Sequence, residues 1–153
     1  MVWTVAFFRW TSGVTDSWER ARKGGLIVGY QPMSMAGLAA YLARDLDDRT
    51  SWKHVWEFVE EYRWEPADRQ LGLLTDEPPP TGAERWDVLL AALAEHLAAR
   101  LDIAPPGWTP TRVLTTPWFP SSLPAKRMEA LVWAPAAFRK HGVYLSARDL
   151  ESA

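Results

Sequence analysis

Apolar residues recur at helical spacing in three long segments of the chain. In each segment, side chains three or four positions apart fall on one face of an α-helix, and the polar residues between them fall on the other. The pattern therefore predicts a mainly α fold, a single compact helical domain. We expect the last and longest stripe, on a helix over residues 81–101, to be the most buried element. The three stripes consist of Met35, Leu38, Ala39, Leu42 and Leu46; of Trp52, Val55, Trp56, Val59 and Tyr62; and of Trp86, Leu89, Leu90, Leu93, Leu97 and Leu101.

Capping residues and prolines predict where the helices begin. Ser51 stands directly before the second stripe and is predicted to be its N-cap, because a serine hydroxyl accepts a hydrogen bond from the first helical turn. Thr81 and Glu84 match a capping box before the third stripe. Prolines divide the last third of the chain into short pieces, with a helix predicted over residues 124–133. A second capping box is predicted at residues 146–149.

The first part of the chain has a different pattern. In residues 1–10 both the odd-numbered and the even-numbered positions are mostly apolar, and residues 26–30 form a second short apolar run. These two segments predict a small pair of β-strands. An alternative stays open, in which translation begins at a methionine within residues 33–35 and the preceding segment is upstream sequence. The predicted organisation is therefore an N-terminal segment, residues 1–32, followed by a helical domain, residues 33–153.

Composition and charge exclude several classes of protein. The chain has 153 residues, the length of about one domain. It contains no Cys, which excludes disulfides, thiolate nucleophiles and Cys-ligated metal sites. A formal net charge of −2 argues against a nucleic-acid partner. Since no apolar run approaches the roughly 18 residues of a membrane-spanning helix, we expect no membrane partner and a cytoplasmic location.

Catalytic chemistry has weak support in the sequence. His54 and Glu57 lie one turn apart on the polar side of the second helix, and His96 lies beside Glu95 at the edge of the third stripe. A small hydrolase or metal enzyme that uses Glu57, His54 or His96 is therefore the enzymatic alternative. The chain lacks the Gly-x-Ser-x-Gly nucleophile motif and the glycine loops that bind phosphate. We accordingly predict no catalytic residue, no metal site and no cofactor.

Motifs in the second half of the chain resemble a known family. They are residues 81–87 (TGAERWD), 94–98 (AEHLA), 106–109 (PGWT), Trp118 with Phe119, and 134–150 (APAAFRKHGVYLSARDL). In combination and spacing they resemble the C-terminal domain of antitoxin-type proteins encoded beside nucleotidyltransferase-like toxins of the AbiEii kind, over residues 80–152. The resemblance implies a non-catalytic protein that binds and neutralises a partner toxin. Such proteins often carry a DNA-binding domain ahead of this one, and residues 1–75 show no such pattern, so a DNA-binding regulator is kept as an alternative.

Two aromatic residues between prolines are the candidate partner-binding residues. The prolines on either side hold Trp118 and Phe119 on a loop, because proline blocks regular backbone pairing. Arg112 and Arg127 flank this loop in the sequence, and rigid aromatics beside arginines have the composition of a binding anchor. In the alternative interpretation the two aromatics fill the base of the helical core, and Trp118→Ala would then lower the melting temperature of the isolated protein.

Overall fold

The computed structural model describes residues 30–44 and 47–151, nearly all of which belong to the compact unit Pro32–Ala153. No β-strand occurs among these residues, so the mainly α fold is confirmed. The predicted strand pair, residues 1–10 with 26–30, lies outside the described residues apart from Tyr30. No described helix combines the length and the apolar character needed to cross a membrane. The helices are α1 (Met35–Leu42), α2 (Asp48–Trp64), α3 (Ala67–Thr75), α4 (Glu84–Arg100), a 3₁₀ turn (Thr109–Thr111), α5 (Pro124–Trp133), α6 (Ala136–His141) and α7 (Ala147–Glu151).

The long helix α4 lies at the centre of the helical unit. It packs against α6, α1, the 3₁₀ turn and α3. Apolar side chains around most of its circumference are buried, which is the pattern of a helix enclosed by its neighbours. The expectation that this helix is the most buried element is confirmed, and Leu101 is half-buried just beyond its end. The buried residues of α4 are Trp86, Val88, Leu89, Leu90, Ala91, Ala92, Leu93, Ala94, Leu97 and Ala98.

Helix α2 begins earlier than its sequence predicts. Its N-cap is Asp47, whose carboxylate accepts hydrogen bonds from the backbone N–H of Thr50 at 2.9 Å and from the Thr50 hydroxyl at 2.8 Å. The backbone bond from Thr50, followed by the hydroxyl bond, holds the pKa of Asp47 below its ordinary value. Ser51 lies inside the first turn and is buried. The prediction for Ser51 is therefore wrong, because an aspartate one turn earlier already satisfies the free backbone donors.

The start of α4 is fixed by a different acid from the one in the predicted capping box. The N-cap position is Ala83, and the Thr81 hydroxyl accepts from the Ala83 N–H at 3.3 Å instead of reaching the N–H of Glu84. The Asp87 carboxylate accepts the backbone N–H of Thr81 at 2.7 Å. The prediction of a Thr81–Glu84 box is therefore wrong: the reciprocal acid is Asp87, three residues beyond Glu84, since Thr81 stands before the cap position and not at it.

The second predicted capping box, at residues 146–149, is half formed. The Ser146 hydroxyl accepts from the backbone N–H of Arg148 at 3.3 Å. The Asp149 carboxylate accepts a hydrogen bond from Lys126 at 2.8 Å. The acid that the motif assigns to capping thus joins α7 to α5, because a lysine charge is a stronger partner than a backbone amide.

Gly142 ends α6 and positions the loop that carries the candidate aromatics. Its φ of +81° is left-handed, and a Cβ built there would lie 2.9 Å from the carbonyl oxygen of Leu114, so only glycine fits. The backbone of this region pairs with the loop: Trp118 N–H donates to Gly142 at 2.9 Å, and Tyr144 N–H donates to Trp118 at 2.8 Å. These bonds form an isolated parallel bridge between Trp118 and Val143.

Candidate protein-binding surface

Helix α5 exposes apolar side chains that an ordinary surface helix buries. Met128 is 64% exposed, Val132 63% and Leu131 47%, and their spacing of three and four residues places them on one face of the helix. Leu123, directly before the helix, is 62% exposed. Contiguous exposed apolar groups on a folded domain mark an interaction surface. We call Leu123, Met128, Leu131 and Val132 the outer face of α5.

The opposite face of α5 carries charges that hold it to the rest of the unit. Lys126 donates to Asp149 on α7 at 2.8 Å and to Glu129 at 3.2 Å. These two hydrogen bonds, the one to Asp149 first, raise the pKa of Lys126 above its ordinary value. Arg148 lies 3.8 Å from Glu129, and Ala130 is the buried residue of the helix. The helix therefore attaches through its polar side and presents its apolar side, the reverse of the usual arrangement.

Cationic and aromatic groups border the outer face. The guanidinium of Arg127 lies 4.7 Å from the ring centroid of Phe119, and that ring stacks on Tyr144 with centroids 4.9 Å apart. The guanidinium of Arg148 lies over the exposed ring of Trp133 at 5.4 Å. Within the described part of the chain, no carboxylate forms an ion pair with Arg127. Arg127 thus adds a positive charge to the border of the outer face, whereas Arg148 lies 3.8 Å from Glu129.

Trp118 points away from this border and into the helical core. Its ring centroid lies 5.4 Å from that of Trp86 and 6.2 Å from that of Trp52, and the guanidinium of Arg85 lies over it at 5.6 Å. The ring is half-buried and packs against the main hydrophobic cluster. This is the arrangement that the alternative interpretation of Trp118 describes. Partner binding by Trp118 stays a prediction.

Arg112 is engaged in internal contacts. Its guanidinium donates to the Glu77 carboxylate at 3.1 Å and to the Pro78 carbonyl at 2.8 Å, and it lies 5.1 Å from the ring centroid of Trp108. These contacts bind Arg112 to the proline-rich segment that precedes α4. The structure therefore brings Phe119 and Arg127 together beside the outer face, and it places Trp118 and Arg112 elsewhere.

The enzymatic alternative names three residues, of which the structure pairs His54 with Glu57 on α2 and places His96 on α4. His54 bonds Glu57 at 3.1 Å and stacks on Tyr41, both on the surface of α2 and its neighbour α1. His96 lies on α4 with its ring 5.6 Å from that of Phe138. Burial, followed by the charge of Arg100, lowers the pKa of His96. Among the described residues, no group of three or more metal-ligating side chains is close enough to hold an ion.

A buried contact between His141 and Glu95 links α4 to α6 in a way that the sequence does not indicate. His141 is fully buried, and its Nδ1 lies 2.6 Å from the carbonyl oxygen of Arg112. Its Nε2 lies 2.8 Å from the Glu95 carboxylate, whose other oxygen accepts from Lys140 at 2.8 Å. Burial alone would raise the pKa of Glu95, but the hydrogen bonds from Lys140 and His141 outweigh it and lower the pKa. Glu95 thus pairs with His141 and not with its sequence neighbour His96.

The sequence analysis does not predict the outer face of α5, although the spacing of apolar residues indicates an apolar stripe there. Pro124, Met128, Leu131 and Val132 fall at i, i+4, i+7 and i+8, which is an apolar helical stripe. That spacing alone is typical of a core-facing helix. The distinction between a core face and a binding face depends on what the other side of the helix contacts, which here is the pairing of Lys126 with Asp149.

Comparisons with known proteins assign the chain to no family. No family model, no curated protein and no solved structure matches the chain. The resemblance of residues 80–152 to antitoxin-type proteins therefore remains an expectation from the motifs.

Proposed function

We propose that the chain is a non-catalytic protein-binding module and that its partner docks on the outer face of α5. One observation supports this most: the helix attaches to α7 through Lys126 and Glu129 while Met128 and Val132 stand in solvent. Apolar side chains gain stabilisation only when they leave water. A partner that covers this face supplies the burial that the chain alone does not.

The partner that fits this surface has an apolar groove and an acidic rim. Arg127 and Arg148 border the outer face, and complementary charges at an interface rim guide association and reject wrong partners. A second copy of the chain would bring its own Arg127, which forms no ion pair with the described carboxylates, to the same border. Charge repulsion therefore disfavours a symmetric dimer through α5.

A nucleotidyltransferase-like toxin is the partner that the motifs favour. Helix α5 lies within residues 80–152, the part of the chain that resembles antitoxin-type proteins. In this proposal the chain neutralises the toxin by binding it in the bacterial cytoplasm, and the outer face of α5 is the contact. Neutralisation by binding needs no catalytic residue and no cofactor.

The experiment is an affinity measurement with substituted chains. The product of the neighbouring reading frame is purified, and its binding to the chain is measured by titration calorimetry. Met128→Glu and Val132→Glu should each weaken binding by about 30-fold or more, since hot-spot losses begin near 2 kcal/mol. Neither substitution should lower the melting temperature of the free chain, because both side chains are exposed.

Leu71→Glu is the matched control. Leu71 is an exposed apolar residue on α3, 46% accessible to solvent, and its replacement should leave the affinity unchanged. Equal losses from Leu71→Glu and Met128→Glu would show that general surface charge, and not the outer face, controls binding. Full binding by Met128→Glu and Val132→Glu would contradict the proposal.

A further inference from the structure

Helix α5 has very little apolar contact with the rest of the unit. In residues 121–134, which contain the helix and its flanks, the buried side chains are Ala130 and Ala134. Neither belongs to the main hydrophobic core. Because stabilisation by burial scales with the apolar area removed from water, the methyl groups of two alanines contribute little. The hydrophobic effect therefore holds α5 far more weakly than it holds α4.

Ion pairs to α7, the principal neighbour of α5, supply the rest of the attachment. Lys126 donates to the Asp149 carboxylate at 2.8 Å, and Glu129 lies 3.8 Å from Arg148. The side chain of Lys126 is 43% exposed and that of Arg148 is 68% exposed. Ion pairs with this much solvent exposure add little to stability. Of the two pairs, Lys126 with Asp149 is the closer and the less exposed.

Helix α7 is fixed to the core independently of α5. Its residue Leu150 is buried and belongs to the main hydrophobic core. The carbonyl oxygen of Asp149 accepts a hydrogen bond from the indole N–H of Trp56 at 3.3 Å, and the carbonyl oxygen of Leu150 accepts one from Arg63. Both donors are on α2. The surface on which α5 rests therefore stays in place when α5 leaves it.

Prolines separate α5 from its neighbours along the chain. Pro120 precedes the helix and Pro135 follows it. Because proline has no N–H to donate, it interrupts regular backbone hydrogen bonding. A helix of 10 residues is too short to be stable alone in water. Once α5 leaves α7, we therefore expect its residues to unfold.

We propose that residues 121–134 detach from α7 and unfold as a unit while the rest of the helical unit stays folded, and that the Lys126–Asp149 pair keeps α5 docked. Native proteins open locally in cooperative segments, and those with few buried apolar contacts open first. The chain thus has two forms, with the outer face assembled on a docked helix or dispersed along an unfolded segment. A partner that binds the assembled face draws the equilibrium towards the docked form. The opening is a property of the free chain, so its absence would leave the partner-binding proposal untouched.

Amide hydrogen exchange of the full chain, followed in ¹H–¹⁵N correlation spectra, tests the opening. Rates are divided by those of unstructured peptides, under conditions in which reclosing is faster than exchange. The amides of residues 128–133 in α5 should then exchange at least about 100-fold faster than those of residues 89–93 in α4, because α4 opens only when the core unfolds. Equal protection of the two helices would overturn the proposal.

Val55→Ala separates local opening of α5 from unfolding of the whole unit. Val55 is 1% exposed and belongs to the core, so its truncation destabilises the folded core without changing the contact between α5 and α7. It should speed exchange of the α4 amides by about tenfold or more and leave exchange of the α5 amides unchanged. Equal acceleration in the two helices would show that α5 opens only together with the core, and would overturn the proposal.

Asp149→Asn tests the pair that keeps α5 docked. The substitution preserves the shape of the side chain and removes the charge that Lys126 contacts, so exchange of the α5 amides should become about two- to fivefold faster. Asp48→Asn is the matched control, since Asp48 pairs with Arg85 at 2.6 Å between α2 and α4. The control should leave exchange of the α5 amides unchanged. No acceleration of α5 by Asp149→Asn, or an equal acceleration by Asp48→Asn, would overturn the proposal.

Discussion

Replacing Glu95 by glutamine tests how the buried pair between α4 and α6 contributes to stability. Both ring nitrogens of His141 lie within hydrogen-bonding distance of an acceptor oxygen, on Arg112 and on Glu95. Both bonds therefore form when both nitrogens carry protons, and the Glu95 carboxylate balances the resulting charge. Glu95→Gln keeps the shape of the side chain and removes that balance.

The magnitude follows from the two bonds that Glu95 accepts. The bond from fully buried His141 is charge-assisted, and such bonds contribute about 1.5–3 kcal/mol where neutral ones contribute about 1 kcal/mol. The bond from Lys140 is half exposed and adds at most about 1 kcal/mol. We therefore expect Glu95→Gln to lower the free energy of unfolding by about 1–3 kcal/mol. Glu95→Ala, which leaves the imidazole without its partner, should lower it by about 3–5 kcal/mol.

Urea denaturation across a pH series measures this contribution and its sign. The pKa of Glu95 in the folded chain lies below its ordinary value of 4.5, so its stabilisation is fully present above pH 4.5 and is lost as the pH falls through the folded pKa. The difference in unfolding free energy between the native chain and Glu95→Gln should narrow as the pH falls through the folded pKa of Glu95. The exposed control Glu57→Gln should stay within about 0.5 kcal/mol of the native chain. A Glu95→Gln chain as stable as the native one at neutral pH, or a gap that widens in acid, would refute the reasoning.

Three further substitutions test the fold by thermal or urea denaturation. Leu93→Ala, at a site on α4 that is 1% exposed, should cost about 2–5 kcal/mol, and a loss under about 1 kcal/mol would show that α4 is not the centre of the core. Trp118→Ala removes a ring that contacts Trp52 and Trp86, so the free chain should lose about 2–4 kcal/mol; an unchanged melt together with weakened partner binding would restore Trp118 as an anchor. Gly142→Ala should cost more than about 1 kcal/mol, because its φ is +81° and the added carbon would lie 2.9 Å from a carbonyl oxygen; a stable variant would mean that the turn adjusts.

The positions of the helices follow from the sequence better than their boundaries do. The stripe from Trp86 to Leu97 is long enough that no other backbone conformation places its residues on one side, and the predicted helix is observed. The start of α2 was missed because Asp47 and Ser51 are both good capping residues one turn apart. The choice between them depends on which one is buried by neighbouring helices, and that information is not local.

The candidate surface depends still more on contacts between distant residues. The orientation of α5 is set by the pairing of Lys126 with a residue 23 positions later. The Glu95–His141 pair joins residues 46 positions apart. Adjacency in the sequence suggested His96 as the partner of Glu95 instead. A single sequence shows that α5 is amphipathic, but the inward side is decided by ion pairs that form only in the folded chain.

Site-specific photo-crosslinking tests the central claim, that the outer face of α5 binds a partner protein, most directly. A photoreactive phenylalanine analogue replaces Met128, Val132 or the control Leu71, in cells that also express the neighbouring reading frame, and the adducts are identified by mass spectrometry. Our account predicts one discrete adduct at Met128 and at Val132, none at Leu71, with a nucleotidyltransferase-like protein as the captured partner. Adducts with a second copy of the chain, equal adducts at Leu71, or no adduct at the outer face would contradict it.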